Sequence, residues 1–242
     1  MVPVTCPLIE SLSEAERKRL LDRAVPRRLA RGDALYFAGD TERRVHFVCS
    51  GFLKLSACDG EGRETTLALA TEGDIVGETA AVDGGFQPVD VVAMTRSEVL
   101  GVDAELFLDV VTRDARAALE LARVVAVRTR WIAATASERA TTDVSARLAA
   151  RLLDLAEMLG RMHGGTIEVD LPLTRTDVGH LAGMCRESAS KAINRMTREG
   201  ILDYSGRTLR IFRPDVLERI RCAGRAAEPC RSAGGEARRR SR

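Results

Sequence analysis

Residues 171–202 constrain the fold of this chain more than any other stretch. Their apolar spacing predicts two short helices, over 176–182 and 186–198, separated by only a few residues. Gly183 lies between the helices and supplies the backbone freedom that a tight turn needs. The stretch therefore predicts a helix–turn–helix.

A β-hairpin follows the second helix directly. Residues 200–212 predict two short strands with a turn at Ser205-Gly206, which is the arrangement called a wing. A solvated amphipathic helix pair in an ordinary α-helical domain is the alternative, because helix–turn–helix spacing alone is a weak filter. The added wing favours a winged helix–turn–helix.

The second helix divides into an apolar face and a polar face. Ala189, Ile193 and Met196 recur at spacings of four and three, and this periodicity predicts the buried face. Side chains of the outward types can read base edges and contact phosphates. The outward residues in this phase are Arg186, Glu187, Ser190, Lys191 and Asn194.

Charge is distributed unevenly along a chain whose net charge is only +2. Residues 1–170 carry 21 basic against 27 acidic side chains, whereas residues 171–222 carry 10 against 6. Residues 223–242 carry 6 against 2, are rich in Arg, Gly and Ala, and predict a disordered basic tail. An acidic front and a basic back suit a sensor that is joined to a DNA-binding domain.

The first hundred residues show a different pattern of apolar and turn-forming residues. After a capping box at Ser13 and Glu16 and a short helix over 14–22, short apolar runs alternate with Gly-Asp and Gly-Glu turns. This pattern is typical of an all-β sandwich or barrel. With the helices that follow, the chain is predicted to be α+β.

A long helix connects the two halves. Residues 113–137 predict it, and Ala118, Leu121, Val125, Arg128, Ile132 and Thr135 follow the alternating three-and-four spacing of a two-helix seam. A dimer spine is the simplest interpretation, although packing against its own β domain is compatible with it. Residues 138–142 are predicted as a hinge before the next helix at 144–159.

Several classes of protein find no support in the sequence. No apolar run approaches the length of a membrane span, and no signal-peptide layout begins the chain, so a cytoplasmic protein without a membrane partner is expected. No catalytic motif is present, so the chain is not expected to be an enzyme. The six cysteines lack the spacing of a metal site, although His46 with Cys49 and Cys58 remains an open alternative.

Two segments of the chain resemble the CRP/FNR superfamily of bacterial transcription regulators. Residues 32–78 resemble its glycine-punctuated cyclic-nucleotide-binding roll, and residues 141–156 with 173–196 resemble its helix–turn–helix. The resemblance implies a cyclic-nucleotide-binding-like β-roll, a long dimerisation helix and a C-terminal winged helix–turn–helix. The corresponding boundaries are 1–112 for the roll, 113–137 for the dimerisation helix, 138–142 for the hinge, 143–222 for the DNA-binding domain and 223–242 for the tail.

The resemblance also implies partners and DNA contacts. It implies a homodimer on double-stranded DNA with two-fold related half-sites, with RNA polymerase as a further partner. Arg186, Glu187 and Lys191 fall on the family's main base- and phosphate-contacting positions, and Lys191 stands where an Arg is usual, which leaves the half-site sequence open there. Ser190, Asn194, Thr174 and Arg175 complete the predicted DNA-binding set.

The effector pocket that the resemblance implies departs from the cyclic AMP pattern. Its candidate residues are Gly77, Glu78, Arg128, Ile132 and Ala133, and Glu78 matches the residue that holds the ribose hydroxyl. The Arg-Ser pair that grips the cyclic phosphate is replaced by Pro88-Val89, or by Gln87-Pro88 with a gap. Cyclic AMP is therefore not expected in the usual mode, nor is any metal or other cofactor. A roll without a ligand and a different small effector both stay open.

One cysteine is a redox candidate. Cys185 is predicted to be the N-cap of the second helix of the helix–turn–helix, beside Arg186, where a thiol pKa can be lowered. A tolerated small residue is the plainer interpretation of this position.

Overall fold

The N-terminal half of the chain is a β-roll. The computed structural model describes residues 6–58, 60, 64–141, 143–170, 173–184 and 186–223, and of residues 134–141 only the backbone. The strands of the roll are β1 (Val25–Leu29), β2 (Ala34–Tyr36), β3 (Arg44–Ser50), β4 (Phe52–Cys58), β5 (Glu64–Thr71), β6 (Ile75–Val76), β7 (Asp90–Ala93) and β8 (Ser97–Asp103).

Two antiparallel sheets make up this roll. One has the strand order β1-β8-β3-β6 and the other β2-β7-β4-β5. Alternate residues of the strands point between the sheets, where Val48, Leu53, Leu55 and Val99 are almost fully buried. The prediction of short strands separated by glycine turns is confirmed, and these strands form a β-roll.

Four short helices pack around the roll in the described part of the chain, in addition to the long helix that follows them. The predicted helix at 14–22 is confirmed, because Ser13 caps it by accepting a hydrogen bond from the backbone N–H of Glu16 at 3.3 Å. These helices are α1 (Pro7–Ser11), α2 (Glu14–Leu21), α3 (Glu78–Asp83) and α4 (Ala104–Thr112).

The long helix, α5 (Ala115–Thr141), extends further than predicted at its C-terminal end. Residues 138–141 of the predicted hinge are helical, and residue 142 lies outside the described residues. Two residues of the predicted two-helix seam face the roll, in agreement with the compatible interpretation that α5 packs against its own β domain. Leu121 packs against the roll and Arg128 turns into it, because one face of a helix lying on the roll must match the roll's interior. The side chain of Thr135 is outside the described part.

The C-terminal half is a winged helix–turn–helix, as predicted. Its two short helices and the hairpin lie within a residue or two of the predicted bounds, and β9 and β10 were not anticipated. The sheet order is β11-β12-β10-β9. The elements are α6 (Val144–Leu159), β9 (Arg161–His163), β10 (Thr166–Asp170), α7 (Arg175–Leu181), α8 (Arg186–Arg198), β11 (Leu202–Ser205), β12 (Thr208–Ile211) and α9 (Pro214–Ala223).

Most of the predicted C-terminal tail lies outside the described residues. Of the predicted tail at 223–242, only Ala223 belongs to the described residues, as the last residue of α9. In the described portion, no helix has both the length and the apolar character that crossing a membrane requires.

Candidate DNA-reading surface and effector cavity

Two glycines shape the helix–turn–helix. Gly183 has a φ of +64°, which confirms that the turn uses the left-handed backbone region. Gly179 in α7 has a second role, since a Cβ placed on it would lie 2.4 Å from the Cβ of Ala189 in α8. The two helices therefore approach so closely that only glycine fits at this crossing. Ala189, Ile193 and Met196 are fully buried beneath α8, as predicted.

Thr174 is held in a capping box at the start of α7. Its side-chain oxygen accepts from the backbone N–H of Asp177 at 3.2 Å, and the Asp177 carboxylate accepts from the backbone N–H of Thr174 at 2.7 Å. Thr174 was predicted as a DNA-binding residue on its position alone. In the structure the Thr174 hydroxyl caps α7, and the residue itself is exposed.

The outward face of α8 presents side chains that are free to meet a ligand. Arg186, Glu187 and Lys191 are all exposed, and within the described chain none of them takes part in a hydrogen bond or ion pair. Ser190 is half-buried beside them. The first two turns of α8 thus carry two cations and a carboxylate into solvent at the positions predicted for base and phosphate contact.

Arg175 and Asn194 are joined to each other. The guanidinium of Arg175 donates to the side-chain oxygen of Asn194 at 2.7 Å and to the backbone carbonyl of Tyr204 in the wing. It also lies 5.8 Å from the centre of the Tyr204 ring. Arg175 therefore fixes the wing to the helix–turn–helix, and Asn194 is exposed but already engaged.

The sequence interpretation missed two basic residues of this surface. Arg207 is exposed at the wing tip between β11 and β12, where the wing turn itself was the available signal. Arg195 donates to the Ser145 hydroxyl at 2.9 Å and so fastens α8 to the start of α6, which no local pattern could reveal.

An ion pair links the roll to the helix–turn–helix. Arg31 donates to both oxygens of Asp177, at 3.1 and 3.0 Å, and to the carbonyl of Met94 at 3.1 Å. Burial alone would raise the pKa of Asp177, but the hydrogen bonds from Thr174 and Arg31 outweigh it and lower that pKa. Leu69 and Met94 of the roll also join the core of the C-terminal half.

The roll contains a cavity of about 240 Å³ between its second sheet, α3 and α5. Gly77, Glu78, Arg128 and Ile132, four of the five predicted effector residues, line it together with Gln87. Ala133 is exposed and does not line it, since one further residue turns the helix by about 100°. The remaining lining is largely apolar and includes Leu55, Leu67, Pro88, Val89 and Val125.

Glu78 and Arg128 form a buried ion pair at the wall of this cavity. The Glu78 residue is 1% exposed, and its Oε1 accepts a hydrogen bond from Arg128 Nη1. Arg128 Nη2 also donates to the carbonyl of Ile75 at 2.8 Å. Arg128, a predicted effector residue, therefore supplies a cation to the cavity, and the structure adds that this cation is bound to a carboxylate.

The cysteines and histidines form no cluster in the described residues. Cys49 and His46 are buried in β3, whereas Cys58 is exposed at the end of β4. Where the structure describes the chain, no group of three or more His, Cys, Asp or Glu side chains is placed to hold a metal ion. Cys185, the redox candidate, lies outside the described residues.

A β-roll with an internal cavity, followed by a long helix and a winged helix–turn–helix, defines the class of DNA-binding transcription regulators with a sensor domain. Two family models match in the same order: the cyclic nucleotide-binding domain over residues 26–114 and the Crp-like helix-turn-helix domain over residues 146–220. The chain belongs to the CRP/FNR superfamily and is a DNA-binding transcription regulator of that family.

Individual relatives agree with this assignment. The chain is 26% identical over 189 residues to the CRP-like cAMP-activated global transcriptional regulator of Mycobacterium tuberculosis, covering 78% of this chain and 84% of that protein. It is 26% identical over 215 residues to the cyclic AMP receptor protein of Thermus thermophilus, covering 88% and 96%. A variant of CooA from Carboxydothermus hydrogenoformans shares the fold, with a TM-score of 0.75, 22% identity and coverage of 91% and 98%.

Proposed function

We propose that this regulator is a homodimer that places α8 in the major groove and reads a two-fold related DNA site. The observation that carries the proposal is the exposure of Arg186, Glu187 and Lys191, without partners in the described structure, on the first two turns of α8. An Arg at this position can donate in a fork to guanine, and a Glu can accept from cytosine. Arg207 at the wing tip adds a phosphate contact.

An exposed apolar stripe on α5 supports the homodimer. Ala118, Ala122, Val125, Thr129 and Ile132 are all exposed at spacings of four and three. This is the periodicity of a two-helix seam, and it differs from the predicted seam where that one turned into the roll. Two such helices side by side would set two copies of α8 about one turn of DNA apart, and we extend the proposal to contact with RNA polymerase at the promoter.

The proposal also includes control by a small effector other than cyclic AMP in the usual mode. Relatives of this chain are named as cAMP-activated, and the neutralised state of Arg128 argues against that ligand here. A buried phosphate without a charged partner loses much of its binding energy, and Arg128 could serve it only by leaving Glu78 uncompensated.

The decisive experiment is fluorescence anisotropy of the purified, reduced chain on DNA from its own upstream region. Tight specific binding that is unaffected by cyclic AMP and weakens steeply with salt is expected, because Lys and Arg contacts release counterions. Binding that requires cyclic AMP would overturn the effector statement. Absence of a salt-dependent affinity would instead favour the alternative that the winged helix docks on a protein.

Sedimentation tests the homodimer separately. Ala122→Glu places a charge in the centre of the α5 stripe without touching the cavity, and it is expected to yield a monomer. Ala38→Glu makes the same change at an exposed position of the roll and should leave the dimer intact. A wild-type monomer, or a dimeric Ala122→Glu variant, would contradict the proposed seam.

A further inference from the structure

A second cleft, the α1 cleft, lies between α1, the turn from β5 to β6, the long helix α5 and the end of α6. Its volume is about 330 Å³, compared with about 240 Å³ for the cavity of the roll. The two sites have Ala68 and Arg128 as a common wall and otherwise different linings among the described residues. Pockets that bind a small molecule usually measure about 300–1,000 Å³, so the α1 cleft is large enough for a ligand of its own.

The walls of the α1 cleft are mainly apolar and come from both halves of the chain. Val127 on α5 and Met158 on α6 are 53% and 43% exposed, so this apolar surface is not covered by the rest of the described chain. Apolar surface in a concave site gains free energy when a ligand removes it from water. The apolar lining residues are Leu8, Leu69, Val124, Val127, Trp131 and Met158.

Trp131 is held in place at this wall. It is half-buried and packs against the core of the roll, and the guanidinium of Arg151 in α6 lies 4.7 Å from the centre of its ring. Arg151 is itself paired with Asp154 at 3.1 Å, so it brings no uncompensated charge to the ring. A ring that is fixed by the roll and by α6 loses little freedom when a ligand packs on it.

Most charged side chains that line the α1 cleft are paired. Glu120 accepts from Arg123, and Arg128 is bound to Glu78 at the wall of the roll's cavity. Each pair is neutral as a unit. Asp74 is left as the lining residue that forms no ion pair in the described part of the chain.

Asp74 lies in the turn from β5 to β6 and is partly exposed, so a ligand in the cleft can reach it. Its Oδ2 accepts from the backbone N–H of Thr71 at 2.8 Å. Burial nevertheless raises the pKa of this carboxyl more than that hydrogen bond and the more distant Arg128 lower it. A cation at Asp74 would therefore stabilise the carboxylate, whereas an anion would be repelled.

We infer that the α1 cleft binds a compact apolar molecule that carries one ammonium group, with the ammonium at Asp74 and the apolar part against Trp131 and Val127. The cleft faces away from the proposed dimer seam, because Val127 lies two residues, about 200° of helical turn, from both Val125 and Thr129. The inference goes beyond the proposed function, since it concerns a different site from the cavity of the roll and does not depend on DNA reading.

Fluorescence of Trp131 tests the inference directly, because it is the one tryptophan of the chain and lines this cleft. The full chain without DNA is titrated with phenethylamine, 2-phenylethanol and 3-phenylpropionate, which share a phenyl group and end in a cation, a neutral hydroxyl and an anion. Phenethylamine is expected to bind with a dissociation constant below about 1 mM, and at least about tenfold more tightly than 2-phenylethanol. The carboxylate should bind most weakly.

Asp74→Asn removes the charge and keeps an oxygen for the Thr71 backbone N–H. It should weaken phenethylamine at least about tenfold and leave 2-phenylethanol within about threefold of its wild-type affinity. Glu72→Gln is the matched control, since Glu72 is an exposed carboxylate close by in sequence that does not line the cleft, and it should change neither affinity.

A second variant keeps the test decisive if Asp74→Asn folds poorly. Val127→Lys brings an ammonium of the protein to the wall of the cleft and should weaken phenethylamine at least about tenfold. Leu119→Lys is its control, because Leu119 is also a 53% exposed residue of α5 and lines neither cavity.

Three results would overturn the inference. They are no binding of phenethylamine below about 1 mM, binding of 2-phenylethanol as tight as that of phenethylamine, and unchanged phenethylamine affinity in Asp74→Asn or, if that variant does not fold, in Val127→Lys. The DNA affinity of the same preparations, measured by anisotropy, shows separately whether the proposed DNA reading holds.

Discussion

The outward face of α8, which we propose reads DNA, and the cavity of the roll differ in how their charged side chains are partnered. On α8, Arg186 and Lys191 are exposed and unoccupied within the described structure. In the roll, Arg128 is bound to Glu78, 50 residues away in sequence, inside the protein. A surface that must meet a polyanion keeps its cations free, whereas a buried charge survives only with a partner. Basic side chains are therefore free on the outward face of α8 and paired with a carboxylate inside the protein.

The largest effect is expected where the buried pair is broken. Glu78→Ala strands Arg128 in the roll, and the free energy of unfolding should fall by about 3–5 kcal/mol. Urea denaturation measures this, with Glu98→Ala as the control. Because the Arg28–Glu98 pair includes an Arg whose side chain is 75% exposed, its loss should cost about 1 kcal/mol or less. Equal losses of unfolding free energy in the two variants would contradict the expected difference between a buried and an exposed ion pair.

A substitution at Gly179 tests how far the position of α8 depends on its close packing against α7. The new Cβ of Gly179→Ala would meet Ala189, so α7 and α8 must separate, at a cost of about 1–3 kcal/mol in stability. DNA affinity should fall as well, because α8 is displaced. Gly60→Ala is the control, since a Cβ there meets nothing within 4 Å. Unchanged DNA affinity in Gly179→Ala would show that the helix crossing does not set the position of α8.

Substitutions on α8 should affect binding and leave stability alone. Arg186→Ala is expected to cost about 1–3 kcal/mol on the specific site and to relax one base position. Lys191→Ala should weaken specific and random DNA similarly and reduce the salt slope by about one. Anisotropy on both DNAs at several salt concentrations separates the two roles. An equal loss for Arg186→Ala on specific and random DNA would remove its assignment as a base reader.

The smallest effect is expected at the ion pair that joins the two regions. Arg31→Ala removes a partner of Asp177 and should cost about 0.2–1 kcal/mol at neutral pH, since the Arg31 side chain is 52% exposed. The pKa of Asp177 is lowered in the folded state, so the pair contributes above the ordinary Asp pKa of about 3.9 and is lost as pH falls through the lower folded value. The stability gap between wild type and Arg31→Ala, from urea denaturation, should therefore close below about pH 4. A gap that persists in acid would show that packing, and not charge, accounts for it.

Local periodicity was sufficient for the helix–turn–helix. The bounds of α8, its buried face and the hairpin that follows were all predictable, because each depends on neighbours a few residues away. The exposure of Arg186, Glu187 and Lys191 followed from the same phase. The engagement of Thr174 in a cap and of Arg175 with Tyr204 did not, since position on a helix does not say which partner a side chain finds.

The long helix shows where periodicity alone reaches its limit. Its apolar residues lie on more than one face, and the sequence alone did not show that Leu121 packs against the roll while Ala122 is exposed. By itself the sequence determined a β-roll, a long helix and a winged helix–turn–helix with a basic outer face. Only the tertiary structure decided that Arg128 faces Glu78 and that Glu78 Oε2 and Gln87 Oε1 are buried without a hydrogen-bond donor among the described residues. Helix and strand periodicities depend on residues that are close in sequence. A buried ion pair and a cavity depend on segments that only tertiary folding brings together.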